Sequence, residues 1–384
     1  MSEVVNIPQL RFPEFSGEWK EKLLKDLTKI NQGLQIPIAD RFTEEVENSY
    51  FYITNEFLKE SSSNKYFIQN PTESVLCTEN DVLMTRTGNT GQVVTNVNGA
   101  FHNNFFKIKY SGDLNKDFLV EFLRLGTTQN MILRYAGTST IPDLNHGDFY
   151  RLKLSLPSKT EQQKIAAFLS AVDTKIELLR QKQELLGEYK KGAMQQIFSQ
   201  AIRFKADDGS EFPEWEEKRL SSQCVIKKGS QLNKEYLTDE GDYPALNGGI
   251  NPSGYTTNWN TEASTITISE GGNSCGFVNF VTTRFWSGGH NYSLQELKKS
   301  IDANYMYQYL KFNELQIMRL RVGSGLPNIQ KGEVSNFKVK LPSLVEQNKI
   351  ANFLSSIDNK TLQVGKQLDE SKQFKKALLQ QMFV

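Results

Sequence analysis

Two stretches of the chain carry apolar residues on recurring spacings of three and four. The first holds Ile165, Leu169, Val172, Ile176, Leu179 and Leu186; the second holds Ile350, Leu354, Ile357, Val364, Leu368, Leu378 and Met382. This heptad-like seam predicts two long amphipathic helices. Each could run about 39 residues, roughly 58 Å at 1.5 Å per residue. Ser158 or Thr160 is placed to cap the first after Pro157, and Ser343 after Pro342 to cap the second. A helix this long packs poorly on one small domain. The two are therefore expected to pair antiparallel, with the intervening regions at opposite ends about a pseudo-two-fold axis.

The two helices are one sequence written twice. "TEQQKIAAFLSAVDTK" (Thr160 to Lys175) matches "VEQNKIANFLSSIDNK" (Val345 to Lys360), and "KKGAMQQIF" (Lys190 to Phe198) matches "KKALLQQMF" (Lys375 to Phe383). "GTSTIPDLN" and "VGSGLPNIQ" precede the two helices at equivalent places, and "FPEFSGEW" and "FPEWEEKRL" open the two halves. The segments between hardly match, which suggests one scaffold carrying two different readers.

Within those segments, "DVLMTRTG", "QVVTNV", "STITISEGG" and "GFVNFVTT" read as strands around turns. "NKDFLVEFLRLGTTQNMILRY" and "DANYMYQYLKFNELQIMRLR" read as helices beginning after Asn115 and Asp302. The expected class is α/β (α+β). The expected domains are 1–157 and 201–342 as globular readers, with 158–200 and 343–384 as helices.

Polar loops fall at corresponding points of the two readers. Thr85, Arg86, Thr87, Gly88 and Asn89 face Glu270, Gly271, Asn273 and Ser274; His102, Asn103 and Asn104 face His290 and Asn291. Glycine lets backbone approach a ligand, and amide, hydroxyl, imidazole and guanidinium groups suit phosphates and base edges. Arg86 could pair with guanine and Glu270 could accept from cytosine N4, so their exchange is expected to change the base read. Hairpin turns would account for the same residues without any ligand. Apolar surface at Phe168, Phe353, Tyr189 and Phe198 would either pack on the neighbouring domain or dock partner subunits.

Composition narrows the field. The 384 residues are 38% hydrophobic and 23% charged, with a net charge of +1. Nucleic acid held by charge alone would need a more basic chain, so DNA contact would use local cations such as Lys227, Lys228 and Arg284, or cations on partners. No apolar run approaches the roughly 18 residues of a membrane span, and the N-terminus lacks a secretory pattern. Cys77, Cys224 and Cys275 lack metal-ligand spacing and read as reduced, cytoplasmic thiols. No phosphate-binding G-x-x-x-x-G-K-[ST] is present. "NPTE" and "NPSG" lack the second proline and the aromatic of a methyltransfer motif. Asp143 with Asp173 and Lys175 could begin a nuclease site, but Asn328 replaces the aspartate in the second half and Asp173 lies in the helix. The chain is expected to catalyse nothing by itself and to need no metal.

Together, "PQLRFPEFSGEW", "VLMTRTG", the duplicated L-P-S-x-x-E-Q-x-K-I-A-x-F-L-S helix and the divergent readers resemble the specificity subunit of type I restriction–modification enzymes. The resemblance spans essentially the whole chain. It implies two target-recognition domains, each reading half of a split double-stranded DNA site, with the helices as ruler and dock. It implies two modification subunits that use S-adenosylmethionine to methylate adenine N6, and two ATP- and Mg2+-dependent restriction subunits. Ile165, Phe168, Leu169, Val172, Ile176, Ile350, Phe353, Leu354 and Ile357 would then form the helix and partner-subunit interface. Two geometrically linked readers on one duplex would sit about a helical turn apart. The chain stops just after the second repeat, so "MSEVVNIPQL" would have to complete a circular arrangement. A duplicated adaptor that binds proteins rather than DNA is the alternative; a self-sufficient nuclease or methyltransferase lacks its motifs.

Overall fold

The structure, a computed structural model, describes residues 6–59, 64–137, 140–323, 325 and 327–384. Parts of "MSEVVNIPQL", "GTSTIPDLN" and "VGSGLPNIQ" therefore lie outside the described residues. Two compact units form: Met1–Leu179 with Gln367–Val384, and Arg180–Lys366. The long helices are Lys159–Phe198, 40 residues, and Leu344–Met382, 39 residues. Both unit boundaries fall inside these helices. Each unit thus holds the first part of one helix and the last part of the other, because the same core buries both seams.

In unit 1, a four-stranded sheet runs in the order Thr28–Gln32, Phe105–Tyr110, Val82–Thr85, Val93–Val94. A second sheet orders Phe67–Gln69, Ser49–Ile53, Gly99–Phe101, Leu76–Cys77, with one parallel pairing, Ile53 opposite Phe101. Strands Lys20–Leu23 and Lys153–Leu156 pair antiparallel beside the entry to the long helix. The expected helix after Asn115 is two, Lys116–Arg124 and Gly126–Ala136, because Leu125 turns to extended geometry between them. The Asn115 side chain caps the first by accepting from Phe118 N at 2.9 Å. The core joins Trp19, Met84, Phe106 and Phe118 to Ile165, Leu169 and Val172 and to Leu378, Met382 and Phe383.

Unit 2 repeats this plan. Its main sheet orders Val225–Lys228, Asn291–Gln295, Thr265–Ser269, Val278–Val281; a smaller one orders Gly254–Thr256, Tyr243–Leu246, Trp286–Ser287. Glu216–Arg219 pairs with Lys338–Leu341. Asp302 caps Ala303–Phe312, accepting from Tyr305 N at 2.7 Å. Met194, Ile197 and Phe198 share a core with Ile350, Ala351, Leu354 and Ile357. Lys190 lies on Asp358, 2.6 Å, and Gln183 sits against Gly365, so the two helix segments in this unit run antiparallel. The equivalent pair in unit 1 is Asp173 with Lys375, 2.7 Å.

The repeated E-Q-x-K is an anchor in both units. Arg11 donates from Nε and Nη2 to the two oxygens of buried Glu161, at 2.7 and 2.8 Å, and Trp19 Nε1 lies 3.3 Å from Oε1. Arg203 and Trp215 do the same for buried Glu346, at 3.2, 2.9 and 3.2 Å. The next residue fixes a shorter helix of the same unit: Asn115 N donates to Gln162 Oε1 at 2.8 Å, and Asp302 N to Gln347 Oε1 at 2.9 Å. Lys164 pairs with Glu14 and Lys349 with Asp207, beneath the rings of Phe12 and Phe212. Ser158 and Ser343 cap the long helices.

The chain ends enter the same plan. Leu10 N donates to Gln381 O at 2.9 Å in unit 1, as Ile202 N donates to Gln196 O at 3.2 Å in unit 2. The N-terminal segment therefore caps the second long helix in the way that the continuous chain caps the first.

Candidate nucleic-acid interface

In each unit a central strand of the main sheet, Val82–Thr85 or Thr265–Ser269, runs directly into the polar loop. The loops are fixed by matching backbone bonds. Arg86 N donates to Asn104 O at 2.7 Å and Glu270 N to His290 O at 3.0 Å; Leu144 N donates to Arg86 O at 2.9 Å and Ile329 N to Glu270 O at 2.8 Å. Thr87 bridges Asp143 as Gly271 bridges Asn328. Arg86 and Glu270 are thus equivalent, and so are Asp143 and Asn328. Strand register adds two more equivalences, since Gln32 lies opposite Phe106 and Lys228 opposite Tyr292.

These four positions change together. In unit 1, Arg86 Nε and Nη2 donate to Asp143 Oδ1 and Oδ2 at 3.0 and 2.5 Å, and the guanidinium lies 5.8 Å from the Phe106 ring centre. In unit 2, Glu270 is 5% exposed and its Oε1 receives Lys228 Nζ at 2.6 Å and the Tyr292 hydroxyl at 2.9 Å. Burial pushes the Glu270 pKa up, but the Lys228 and Tyr292 hydrogen bonds outweigh it and hold the carboxyl below its usual range. Burial, then Glu270, pushes the Tyr292 hydroxyl up. A cation over a ring with an acid has become an anion with a hydroxyl, an ammonium and an amide.

These contacts bear on the base-reading expectation for Arg86 and Glu270. In this structure Arg86 spends its guanidinium on Asp143, and Glu270 is buried against Lys228 and Tyr292. The nuclease reading fails by the same geometry, since Asp143 holds Arg86 and Asp173 holds Lys375.

The remaining predicted residues divide by exposure. Thr85 is buried and its hydroxyl closes the loop on Asn89 O. Asn291 is buried, with its carbonyl taking Gly229 N. His102 is half-buried; burial and then Arg41 lower its pKa, and its Nδ1 accepts from Asn104 N at 3.1 Å. Asn103 donates to Gln35 at 3.1 Å. Arg284 stacks on Trp259 and pairs with Glu262 beyond the far end of Val278–Val281, so it does not join the loop. Gly88, Asn89, Lys227, Lys228, Asn273 and His290 are exposed, while Thr87, Asn104, Gly271 and Ser274 are intermediate.

On the helices, Ile165, Leu169, Val172, Ile350, Leu354 and Ile357 are buried in the cores of their own units, so they cannot also be a free face for a partner subunit. Phe168 and Phe353 are half-buried beneath Phe12 and Phe204, ring centres 5.8 Å apart in each case, and Ile176 is partly buried.

Sequence reading missed the residues that shape the loops. Strand pairing makes Asn55 of unit 1 equivalent to Gly248 of unit 2. Asn55 Nδ2 donates to Thr87 O at 3.1 Å and fills the space beside Gly88. In unit 2 the chain at Gly248 turns left-handed against His290, and Gly272, the equivalent of Gly88, has open space in its place. A cleft of about 450 Å3 opens there, lined among others by Asn247, Gly248, Gly271, Asn273, His290 and Asn328. The one sequence signal for it was the paired Pro-Asp and Pro-Asn at 142–143 and 327–328.

Comparison with known proteins agrees with this duplicated plan. The family model for the type I restriction modification DNA specificity domain matches residues 16–188 and again 213–371. A type I restriction enzyme specificity subunit of Methanocaldococcus jannaschii, MjaVIII, is 24% identical over 91% of this chain and 88% of its own. Provisionally named type I specificity subunits of Mycoplasma genitalium and Mycoplasma pneumoniae are 34% and 35% identical over 38% and 40% of this chain. The chain spans 38% and 43% of the lengths of those two relatives. The crystal structure of a type I restriction–modification S subunit from M. genitalium shares the fold, with a TM-score of 0.70 and 20% identity over 98% of this chain and 99% of that one. With both halves matched by the same model, this chain belongs to the type I restriction–modification DNA specificity family.

Proposed function

We propose that this chain is the non-catalytic DNA-reading subunit of a type I restriction–modification complex, each unit reading one half of a split double-stranded target. The observation that carries this reading is the contrast within the duplication. The Glu161 and Glu346 anchors are the same in both units, while the loops at the strand ends have exchanged their charged and amide side chains. Selection for two different sequences read from one scaffold produces that contrast. Asn89, Lys227, Lys228, Asn273 and His290 are the exposed groups for base edges and phosphates.

The helix pair is the ruler that sets the gap. Its docks for two modification subunits lie on the outward helix faces rather than the buried seam. Tyr189 and Phe374, 58% and 53% exposed, occupy the same place in the two repeats. Modification subunits would bring S-adenosylmethionine and methylate adenine N6; two restriction subunits would bring ATP and Mg2+. No helix among the described residues is long and apolar enough to cross a membrane, and a cytoplasmic complex is proposed.

The test is the methylome of a naive host that expresses the chain with its modification subunit. Methylated adenines in a split motif with a fixed gap are expected. A complex without any motif would instead favour a duplicated protein-binding adaptor.

A further inference from the structure

We infer that the cleft of unit 2 is a base-reading slot for one adenine of the second half-site, and that its equivalent in unit 1 is closed by Asn55. This rests on the DNA-reading proposal above. The cleft is open beside Gly272, which has free space where its equivalent Gly88 meets Asn55; the chain at Gly248, the equivalent of Asn55, turns left-handed and runs against His290, and Gly271 completes the lining. Its volume, about 450 Å3, admits a planar heterocyclic edge.

The chemistry of the walls selects a neutral ligand. Asn247, Asn273 and Asn328 converge on the cleft. Beneath it, Glu270 Oε1 takes Lys228 and Tyr292, Oε2 lies 3.7 Å from His290 Nδ1, and the Asn328 amide also bears on the carboxylate. The carboxylate offsets the Lys228 charge, so the slot has little net pull on phosphate. An asparagine amide matches a group that offers one donor beside one acceptor, and adenine N6 and N7 present that pair in the major groove. Asn273 is the exposed amide at the loop tip and carries this contact. The Asn247 Oδ1 already accepts from His290 N at 3.2 Å, which makes Asn247 a positioning residue.

The test is selection of a random duplex DNA library by the purified chain in complex with its modification subunits. Gly271→Gln fills the slot with tolerable sterics: an added Cβ meets Pro327 O at 3.4 Å, an ordinary contact. The wild type should enrich a split motif. Gly271→Gln should keep the first half and the gap but lose tenfold or more of the preference for an adenine in the second half, and Asn273→Ala should weaken the same position. A Gly271→Gln complex that enriches the wild-type motif would overturn the slot. If Gly271→Gln fails to form the complex, Asn273→Ala decides: an unchanged second half overturns the inference, and a change at one adenine supports it. A wild-type complex that enriches no sequence overturns the DNA-reading proposal and this slot with it.

Discussion

Glu161 in one unit and Glu346 in the other each hold an arginine and a tryptophan from the segment that leads into the reader. Arg86 and Glu270 also occupy equivalent places, yet they carry opposite charges and bond to different partners. The two sites differ in what surrounds them. The anchor lies where long helix, entry strand and reader helix meet, so any change there must be matched by three elements at once. The charge that opens each loop, Arg86 or Glu270, is a pin that touches its own sheet, the segment around Asp143 or Asn328 and, in unit 2, His290. Four residues suffice to rebuild it, and all four differ between the units. A fold can therefore vary its loops without disturbing its frame.

The anchor should give the largest effect. Glu346→Ala takes the acceptor from the Trp215 N–H and the carboxylate from Arg203, whose largely covered guanidinium keeps only the Phe212 and Pro213 carbonyls and the more distant Glu214. Removing one member of such a pair costs about 3–5 kcal/mol. Urea unfolding should report a loss of that size, and Glu161→Ala should match it within about 1 kcal/mol if the anchors are equivalent. A small loss in one unit and a large one in the other would break the comparison.

The loop pin should give an effect that depends on company. Glu270→Arg alone sets a second cation beside Lys228 and leaves the Tyr292 hydroxyl facing a donor, at a cost of about 3 kcal/mol. Adding Lys228→Gln, Tyr292→Phe and Asn328→Asp recreates the unit 1 set. Residues in one network are not additive, so the fourfold variant should recover at least half of the loss by thermal or urea unfolding. No recovery would mean that the four positions do not act as a set.

These two sites also mark what the sequence could and could not disclose. Both long helices were legible from the spacing of Ile165, Leu169 and Val172 and their repeats, since helical period survives any detail of packing. The caps at Asn115, Asp302, Ser158 and Ser343 were legible because a side-chain oxygen before an apolar run is a local signal. The break at Leu125 was not, because Leu-Gly within a helical pattern is tolerated until tertiary packing chooses otherwise. The partners of Arg86 and Glu270 were not legible for a related reason. A charge in a glycine-rich loop looks free in one dimension, and the acid 57 residues away that binds Arg86 is visible only in the fold. The cleft depended on a change of backbone path, left-handed at Gly248 where unit 1 has Asn55, which takes strand pairing to recognise.

The pin has a pH signature that the anchors can be compared against. The folded pKa of Glu270 lies below the unfolded value, so its charge contributes stability fully above the unfolded value of about 4.3 and loses it as pH falls through the folded one. Wild type should therefore exceed Glu270→Gln in unfolding free energy at neutral pH, and the gap should shrink below about pH 4. A gap that widens with acid would reverse the sign of the argument.

The smallest effects should come from the helix pair, where the comparison becomes finest. Asp173 with Lys375 and Asp358 with Lys190 are the same ion pair in the two units, and both acids are 42% exposed. Such pairs contribute about 0.2–1 kcal/mol and weaken in salt. Their second contacts differ. In unit 1 it is the cation that has one, since Lys375 also reaches Glu121 Oε2 at 3.1 Å; in unit 2 it is the acid, since Asp358 also accepts from Gln308 at 2.8 Å. Asp173→Asn leaves Lys375 with an acid, whereas Asp358→Asn leaves Lys190 facing only a neutral amide. Asp358→Asn should thus cost more than Asp173→Asn, both about 1 kcal/mol or less. Raising the salt concentration should narrow the difference between them, as read from urea midpoints at two ionic strengths. Equal costs at both would show that the second contacts carry no energy and that the two helix pairs are interchangeable down to this level.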